Sequence, residues 1–64
     1  MFVWSYLDQA GEEVGRSSLF PDAESAESWI GISWRDLQEN GVVEVVLFDR
    51  GRNRKVYRMG LGAE

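Results

Sequence analysis

The chain of 64 residues contains 44% apolar residues, seven bases and eleven acids, which gives it a net charge of −4. It has neither cysteine nor histidine, and this excludes disulfides, thiolate nucleophiles and the imidazole ligands of the usual zinc sites. Residues 1–64 suffice for one small domain near the lower limit for independent folding, so a partner or a second copy that adds buried surface is an open alternative.

The first twenty residues predict a β-hairpin. Aromatic and β-branched residues alternate with others over residues 2–7, a pattern typical of a strand. Residues 8–11 predict a turn. Residues 12–20 predict a second strand, whose glycine and serines suit the edge of a sheet.

An amphipathic helix is predicted between Asp22, as its N-cap, and residues 40–41, an Asn-Gly pair that ends it. Trp29 is expected at the margin of the apolar side, and Ile32 points away from it. Gly31, inside the helix, either permits a close contact or is merely tolerated. The apolar arc itself is expected to hold Ala23, Ala26, Ile30, Ser33, Trp34 and Leu37.

Residues 42–48 give the strongest strand signal, an apolar run that indicates a central strand. A turn at 49–53 leads to a fourth predicted strand over 54–61. The order ββαββ predicts a single α+β domain, with one helix packed on one face of a four-stranded sheet whose strand order is left open. The predicted core consists of Phe2, Trp4, Tyr6, Val14, Leu19, Ala26, Ile30, Trp34, Leu37, Val43, Val45, Leu47, Tyr57 and Met59.

The acidic residues do not predict catalysis. The pairs Glu12–Glu13 and Glu24–Glu27 are better explained by the alternation of a strand and by the dipole of a helix. Neither a P-loop nor a dinucleotide-binding glycine pattern occurs. We therefore expect a non-enzymatic domain that uses no cofactor and no metal.

Apolar residues on the uncovered face of the sheet and on the rim of the helix predict a protein interface. Contiguous apolar surface of this kind exceeds what a lone soluble domain usually exposes. A partner protein would bury it, or a second copy in a homodimer. The residues concerned are Val3, Leu7, Trp29, Ile32, Val42, Val46 and Phe48.

The charge is distributed unevenly along the chain. Residues 1–49 carry ten acids and two bases, whereas residues 50–64 carry five bases and one acid. Such asymmetry marks either a contact site for an anionic partner or a basic hairpin that neutralises an acidic helix beside it. The bases of this predicted polar contact site are Arg50, Arg52, Arg54, Lys55 and Arg58.

The combination of Trp4-x-Tyr6, residues 15–17 (Gly-Arg-Ser) and residues 20–22 (Phe-Pro-Asp) before a Trp-bearing helix resembles a family of short proteins from high-GC Gram-positive bacteria. The resemblance covers residues 4 to 48. It implies a bacterial cytoplasmic origin. Because that family has no assigned activity, it implies no catalytic residue in this chain.

The compartment is predicted from two further absences. No apolar run approaches the roughly 20 residues that a membrane-spanning helix needs. The first residues lack the basic region of a secretory signal. We therefore expect a cytoplasmic protein without a membrane partner.

These observations predict a protein-interaction domain, with a homodimer as one of its forms. The alternative is a nucleic-acid accessory protein that uses the basic hairpin of residues 50–58. That alternative would gain if Phe2, Trp4 and Tyr6 lay on an open sheet face, where aromatic rings can stack on bases.

Overall fold

The computed structural model describes residues 1–61. Strands and helix follow each other as β1 (Phe2–Leu7), β2 (Glu13–Arg16), α1 (Ala23–Glu39), β3 (Glu44–Asp49) and β4 (Arg54–Gly60). The strands form one antiparallel sheet in the order β2-β1-β3-β4, and the helix covers one of its faces. This confirms the predicted ββαββ order and the α+β class.

The strand order places β1 and β3 inside the sheet and β2 and β4 at its edges. An edge position for the polar second strand and an internal position for the apolar third strand were both predicted. The second strand is shorter than expected, because it ends at Arg16. Phe20 then returns to the sheet and pairs with Phe2 through two backbone hydrogen bonds of 2.8 and 2.7 Å.

The helix begins and ends through local hydrogen bonds that the sequence predicted. Asp22 is extended, and its Oδ1 accepts a hydrogen bond from the Ser25 N–H at 2.7 Å. At the other end Gly41 adopts a φ of +89°. The Gly41 N–H donates to the carbonyl of Gln38 and the Val42 N–H to that of Leu37, at 3.1 and 3.0 Å. This pair of bonds ends the helix.

We expect the Asp22 cap to make stability depend on pH. The hydrogen bond from the backbone N–H of Ser25 holds the pKa of Asp22 below its ordinary 3.8. A carboxylate with a lowered pKa in the folded state stabilises the fold above its unfolded-state pKa, and this contribution is lost as the pH falls through the folded-state pKa. Asp22→Asn keeps a capping oxygen without titrating.

The measurement is urea unfolding of the wild type and of Asp22→Asn between about pH 6 and pH 2. The wild type should lose more stability than the variant as the pH falls below about 4. A difference between the two proteins that stays constant over this range would contradict the role of the Asp22 carboxylate.

The core lies between the helix and the sheet. Trp4 is its largest fully buried side chain, and its indole N–H donates a hydrogen bond of 2.8 Å to the Ala26 carbonyl. This bond joins the central strand β1 to the first turns of the helix. The buried members of the core are Trp4, Ala26, Ile30, Val42, Val45, Leu47 and Leu61.

Three residues of the predicted core are exposed: Val14, Leu19 and Tyr57 are 56%, 48% and 50% exposed. A fourth, Val43, is half-buried and belongs neither to the core cluster nor to the residues packed against it. Tyr6 pairs with Gly15 and Leu7 with Glu13, so Val14 is the extra residue of a β-bulge and points outward. Leu19 is replaced in the core by Phe20, whose pairing with Phe2 sets the direction of the chain there.

The prediction that Val42 lies on the uncovered sheet face is also wrong. Val42 is buried in the core beneath the helix. The strand begins only at Glu44, and the N–H of Val42 is still bonded to the end of the helix. Val42 therefore precedes the strand and does not follow its alternation.

Gly31 is tolerated within the described chain and is not required by packing. A Cβ atom placed on it would meet no atom within 4 Å. We expect Gly31→Ala to raise the free energy of unfolding by about 1 kcal/mol, because alanine is the better helix former. Gly15→Ala is the control, since its Cβ would lie 3.1 Å from Cδ2 of Tyr6 and should destabilise the fold. Urea unfolding measures the stability of both variants. A Gly31→Ala protein less stable than the wild type would contradict the finding that the space beside Gly31 is open.

No helix within residues 1–61 is long and apolar enough to cross a membrane.

Candidate functional site: two grooves beside the sheet

A second β-bulge decides which face of the sheet carries Lys55. Leu47 pairs with Tyr57, whereas the next residue, Phe48, pairs with Lys55, so Val56 is the extra residue. Strict alternation would place Lys55 and Tyr57 on the same face. The bulge instead places Tyr57 on the helix side and Lys55 beside Phe48 on the uncovered side.

The uncovered face contains a groove of about 570 Å³, here called the sheet-face groove. It brings together six residues that the sequence assigned to two separate sites. Four come from the predicted apolar interface and two from the predicted polar contact site. These residues are Val3, Leu7, Val46, Phe48, Arg50 and Lys55, and the rest of the lining consists of Ser5, Gly11, Glu13, Arg16 and Asn53.

The floor of this groove is less exposed than the sequence predicted. Val3 and Val46 are only 4% and 6% exposed. Leu7 and Phe48 are half-buried. Long charged side chains, whose aliphatic stems commonly cover apolar surface, line the same groove. The exposed apolar surface of the groove is therefore small and lies mainly at Leu7 and Phe48.

The hairpin between β3 and β4 holds its basic tip in a fixed turn. Asp49 Oδ1 accepts hydrogen bonds from the N–H groups of Gly51 and Arg52, at 2.9 and 3.2 Å. Asn53 adopts a left-handed φ of 56°, which asparagine tolerates better than most residues. The Arg50 N–H donates to the Met1 carbonyl at 2.8 Å. The bases of the tip therefore project from an ordered backbone.

Two ion pairs form at the uncovered side of the sheet. Arg16 binds Glu13, and this hydrogen bond holds the pKa of Glu13 below its usual range. Arg58 binds Glu44, which raises the pKa of Arg58. Both pairs are largely exposed and so contribute little to stability.

The other four bases of the hairpin have no carboxylate within 4.0 Å among residues 1–61. The alternative explanation of the charge asymmetry was a basic hairpin that neutralises the acidic helix. Within residues 1–61, no ion pair joins the hairpin to the helix. Arg58 alone is neutralised, by a neighbour within its own hairpin. The sheet-face groove therefore carries excess positive charge in an acidic protein. The four bases are Arg50, Arg52, Arg54 and Lys55.

The two predicted contact residues on the helix rim do not join this groove. The ring of Trp29 stacks on Tyr6 with centroids 6.4 Å apart and lies 5.6 Å from the ring of Phe20. Trp29 is half-buried by these contacts. Ile32 is 83% exposed and lines neither groove.

A second groove, which the sequence reasoning missed, lies between the helix and β4 and has a volume of about 630 Å³. The helix packs chiefly on β1. We call this space the helix–β4 groove. Tyr57 is 50% exposed beside it and meets Trp4 edge-on, with ring centroids 6.5 Å apart. The apolar lining includes Ile30, Trp34, Tyr57, Met59 and Leu61.

The widths of the elements could have revealed this groove. A helix with its side chains is about 10–12 Å wide, whereas the outer strands of a four-stranded sheet lie about 14 Å apart between their axes. One helix therefore leaves an edge strand uncovered. The sequence does not say which edge, because that depends on the strand order.

The aromatic residues of β1 do not form an open stacking platform. Phe2, Trp4 and Tyr6 belong to the core side or pack against it, and Trp4 is fully buried. The sheet-face groove contains one aromatic ring, that of Phe48. The condition that would have favoured base stacking is therefore not met.

Comparison of the chain with models of protein families, with curated proteins and with solved structures finds no match. The resemblance to a family of high-GC Gram-positive bacteria stays a prediction.

Proposed function

We propose that this chain is a non-enzymatic protein-interaction domain of the bacterial cytoplasm, which binds a protein partner through the sheet-face groove. One observation carries the proposal. The apolar and basic residues that the sequence assigned to separate sites line a single groove. Such a combination suits a small apolar contact surrounded by charged contacts, as in many protein interfaces.

The charges of the groove favour an acidic partner. Arg50 and Lys55 lie in its lining without a carboxylate partner among residues 1–61. Complementary charge speeds association and selects among partners. A homodimer through this face, the other form predicted from the sequence, would bring the same cations together. The charge pattern therefore supports an acidic protein over a second copy.

The experiment is capture of partners from the native cell with tagged wild type, Lys55→Glu and the matched charge reversal Arg35→Glu. Arg35 is exposed on the helix, with its guanidinium 5.3 Å from the ring centroid of Trp34. We expect the wild type and Arg35→Glu to capture a partner protein that Lys55→Glu does not capture. The result should be the same whether or not the lysate is treated with nuclease. A partner that Lys55→Glu retains as well as the wild type does would argue against binding through the sheet-face groove. Light scattering of the isolated protein tests for the homodimer.

The second candidate is a nucleic-acid accessory protein, and the unneutralised tip of the hairpin favours it. Arg50, Arg52 and Arg54 are exposed there, and bases of this kind can bind phosphates. The test is a titration with a fluorescent single-stranded oligonucleotide at several salt concentrations. Binding that weakens steeply with salt and disappears on replacing the three arginines by Glu would support this candidate. Absence of binding at low salt would remove it.

A further inference from the structure

We propose that the domain binds an extended segment of its partner as a fifth strand on the free edge of β4, and that this segment alternates apolar with acidic residues. The inference rests on the proposed function, because its ligand is a protein segment. Within residues 1–61, β4 is a seven-residue edge strand whose one neighbour is β3. Outside the bulge at Val56, the N–H and C=O groups along its outer side are therefore available to an added strand.

The helix–β4 groove lies beside this free edge. Side chains alternate between the two faces of a strand, so an added strand would direct every second side chain toward the groove. Trp34, Tyr57 and Met59 offer apolar contacts there. Glu27 also lines the groove on the helix side and would repel an acidic group. The residues directed into the groove are therefore apolar.

Two glycines support the presence of an occupant in this groove. Gly31 and Gly60 both line it, and a Cβ atom on either would meet nothing within 4 Å. A glycine inside a helix weakens it, and a glycine in a strand often marks the close approach of another backbone. Packing within the described residues requires neither glycine, whereas both leave room for a bound strand.

The opposite face of the added strand would lie on the side of Lys55 and Arg58. Lys55 has no carboxylate partner among residues 1–61, and Arg58 has one, Glu44. Opposite charges on neighbouring strands stabilise a sheet, and like charges destabilise it. Acidic residues are therefore favoured on this face of the added strand. The same cations would repel each other if two β4 strands paired, which disfavours a second copy as the occupant.

The test uses a synthetic seven-residue peptide, the length of β4, in which Val alternates with Glu and both ends are capped. Titration into ¹⁵N-labelled protein should shift the amide signals of β4 and the indole N–H signal of Trp34. A peptide with Lys in place of Glu should bind at least about tenfold more weakly. So should a Glu peptide with every amide N-methylated, because it cannot donate to the carbonyl groups of β4.

Two protein variants make the test specific. Gly31→Leu fills the groove from the helix, where leucine is well accepted. It should keep the thermal midpoint at or above that of the wild type and bind the Glu peptide at least about tenfold more weakly. Lys55 lies on the other face of the sheet. The Lys55→Glu protein should therefore bind the Lys peptide better than the Glu peptide.

Equal binding of the Glu and Lys peptides, shifts confined to residues outside β4 and the groove, or unchanged binding by Gly31→Leu would each overturn the inference. Absence of binding up to about 1 mM would also overturn it, since the cations of β4 would then serve only to keep the edge unpaired. Partner capture that still depends on Lys55 would in that case leave the proposed function standing.

Discussion

Trp4→Ala is expected to leave the domain mostly unfolded at 25 °C. Replacing a buried tryptophan by alanine typically lowers stability by about 3–5 kcal/mol, and the single core of a domain of this size rarely supplies more than about 3–5 kcal/mol in total. Trp4 is fully buried at the centre of the core. Its indole N–H also donates to the carbonyl of Ala26, so the change removes a direct bond between sheet and helix.

The measurement is the dispersion of the ¹H–¹⁵N spectrum together with urea unfolding followed by circular dichroism. Trp4→Phe serves as the control, because it keeps most of the ring and loses the indole N–H. We expect it to remain folded and to be about 1–3 kcal/mol less stable than the wild type. A Trp4→Ala protein within about 1 kcal/mol of the wild type would contradict the central position of this residue.

The elements of the fold could be predicted because their signals are local. Alternation over residues 2–7 gave β1 with its bounds, and the Asp22 cap and Gly41 gave both ends of the helix. The strand order was not predictable from such signals. Pairing between β1 and β3 depends on contacts between residues about 40 positions apart, which local periodicity does not encode.

Two of the errors in burial come from residues that interrupt a regular alternation. Val14 is exposed because it is the extra residue of a bulge, and Val42 is buried beneath the helix because the strand has not yet begun there. A shift of one residue moves side chains to the other face of a sheet. Apolar valines carry no signal of such a shift.

The candidate site was predicted in parts but not as a whole. The sequence supplied all four apolar residues of the sheet-face groove and two of its three bases, Arg50 and Lys55, but not Arg16. The bulge at Val56 placed Lys55 beside Phe48, and this made one groove from two predicted sites. The helix–β4 groove was missed because its existence depends on β4 being the strand that the helix leaves uncovered. Both outcomes are properties of the assembled sheet.

Trp29→Ala is expected to lower the free energy of unfolding by about 2–3 kcal/mol. The sequence left this residue open as a contact for a partner. The structure stacks its ring on Tyr6 and packs it against Phe20, and aromatic pairs of this kind add about 0.5–1.5 kcal/mol beyond the area that they bury. Trp29 therefore fastens the helix to β1 and to the segment that precedes the helix.

Ile32→Ala is the matched control on the same helix. Ile32 is exposed, so its truncation should change stability by less than about 0.5 kcal/mol. Urea unfolding of the two variants and the wild type gives the comparison. Similar small losses in both variants would mean that Trp29 contributes little to the fold and is as free for a partner as Ile32. A large loss in Trp29→Ala alone assigns Trp29 to packing, because a residue needed only by an absent partner can be truncated without weakening the isolated domain.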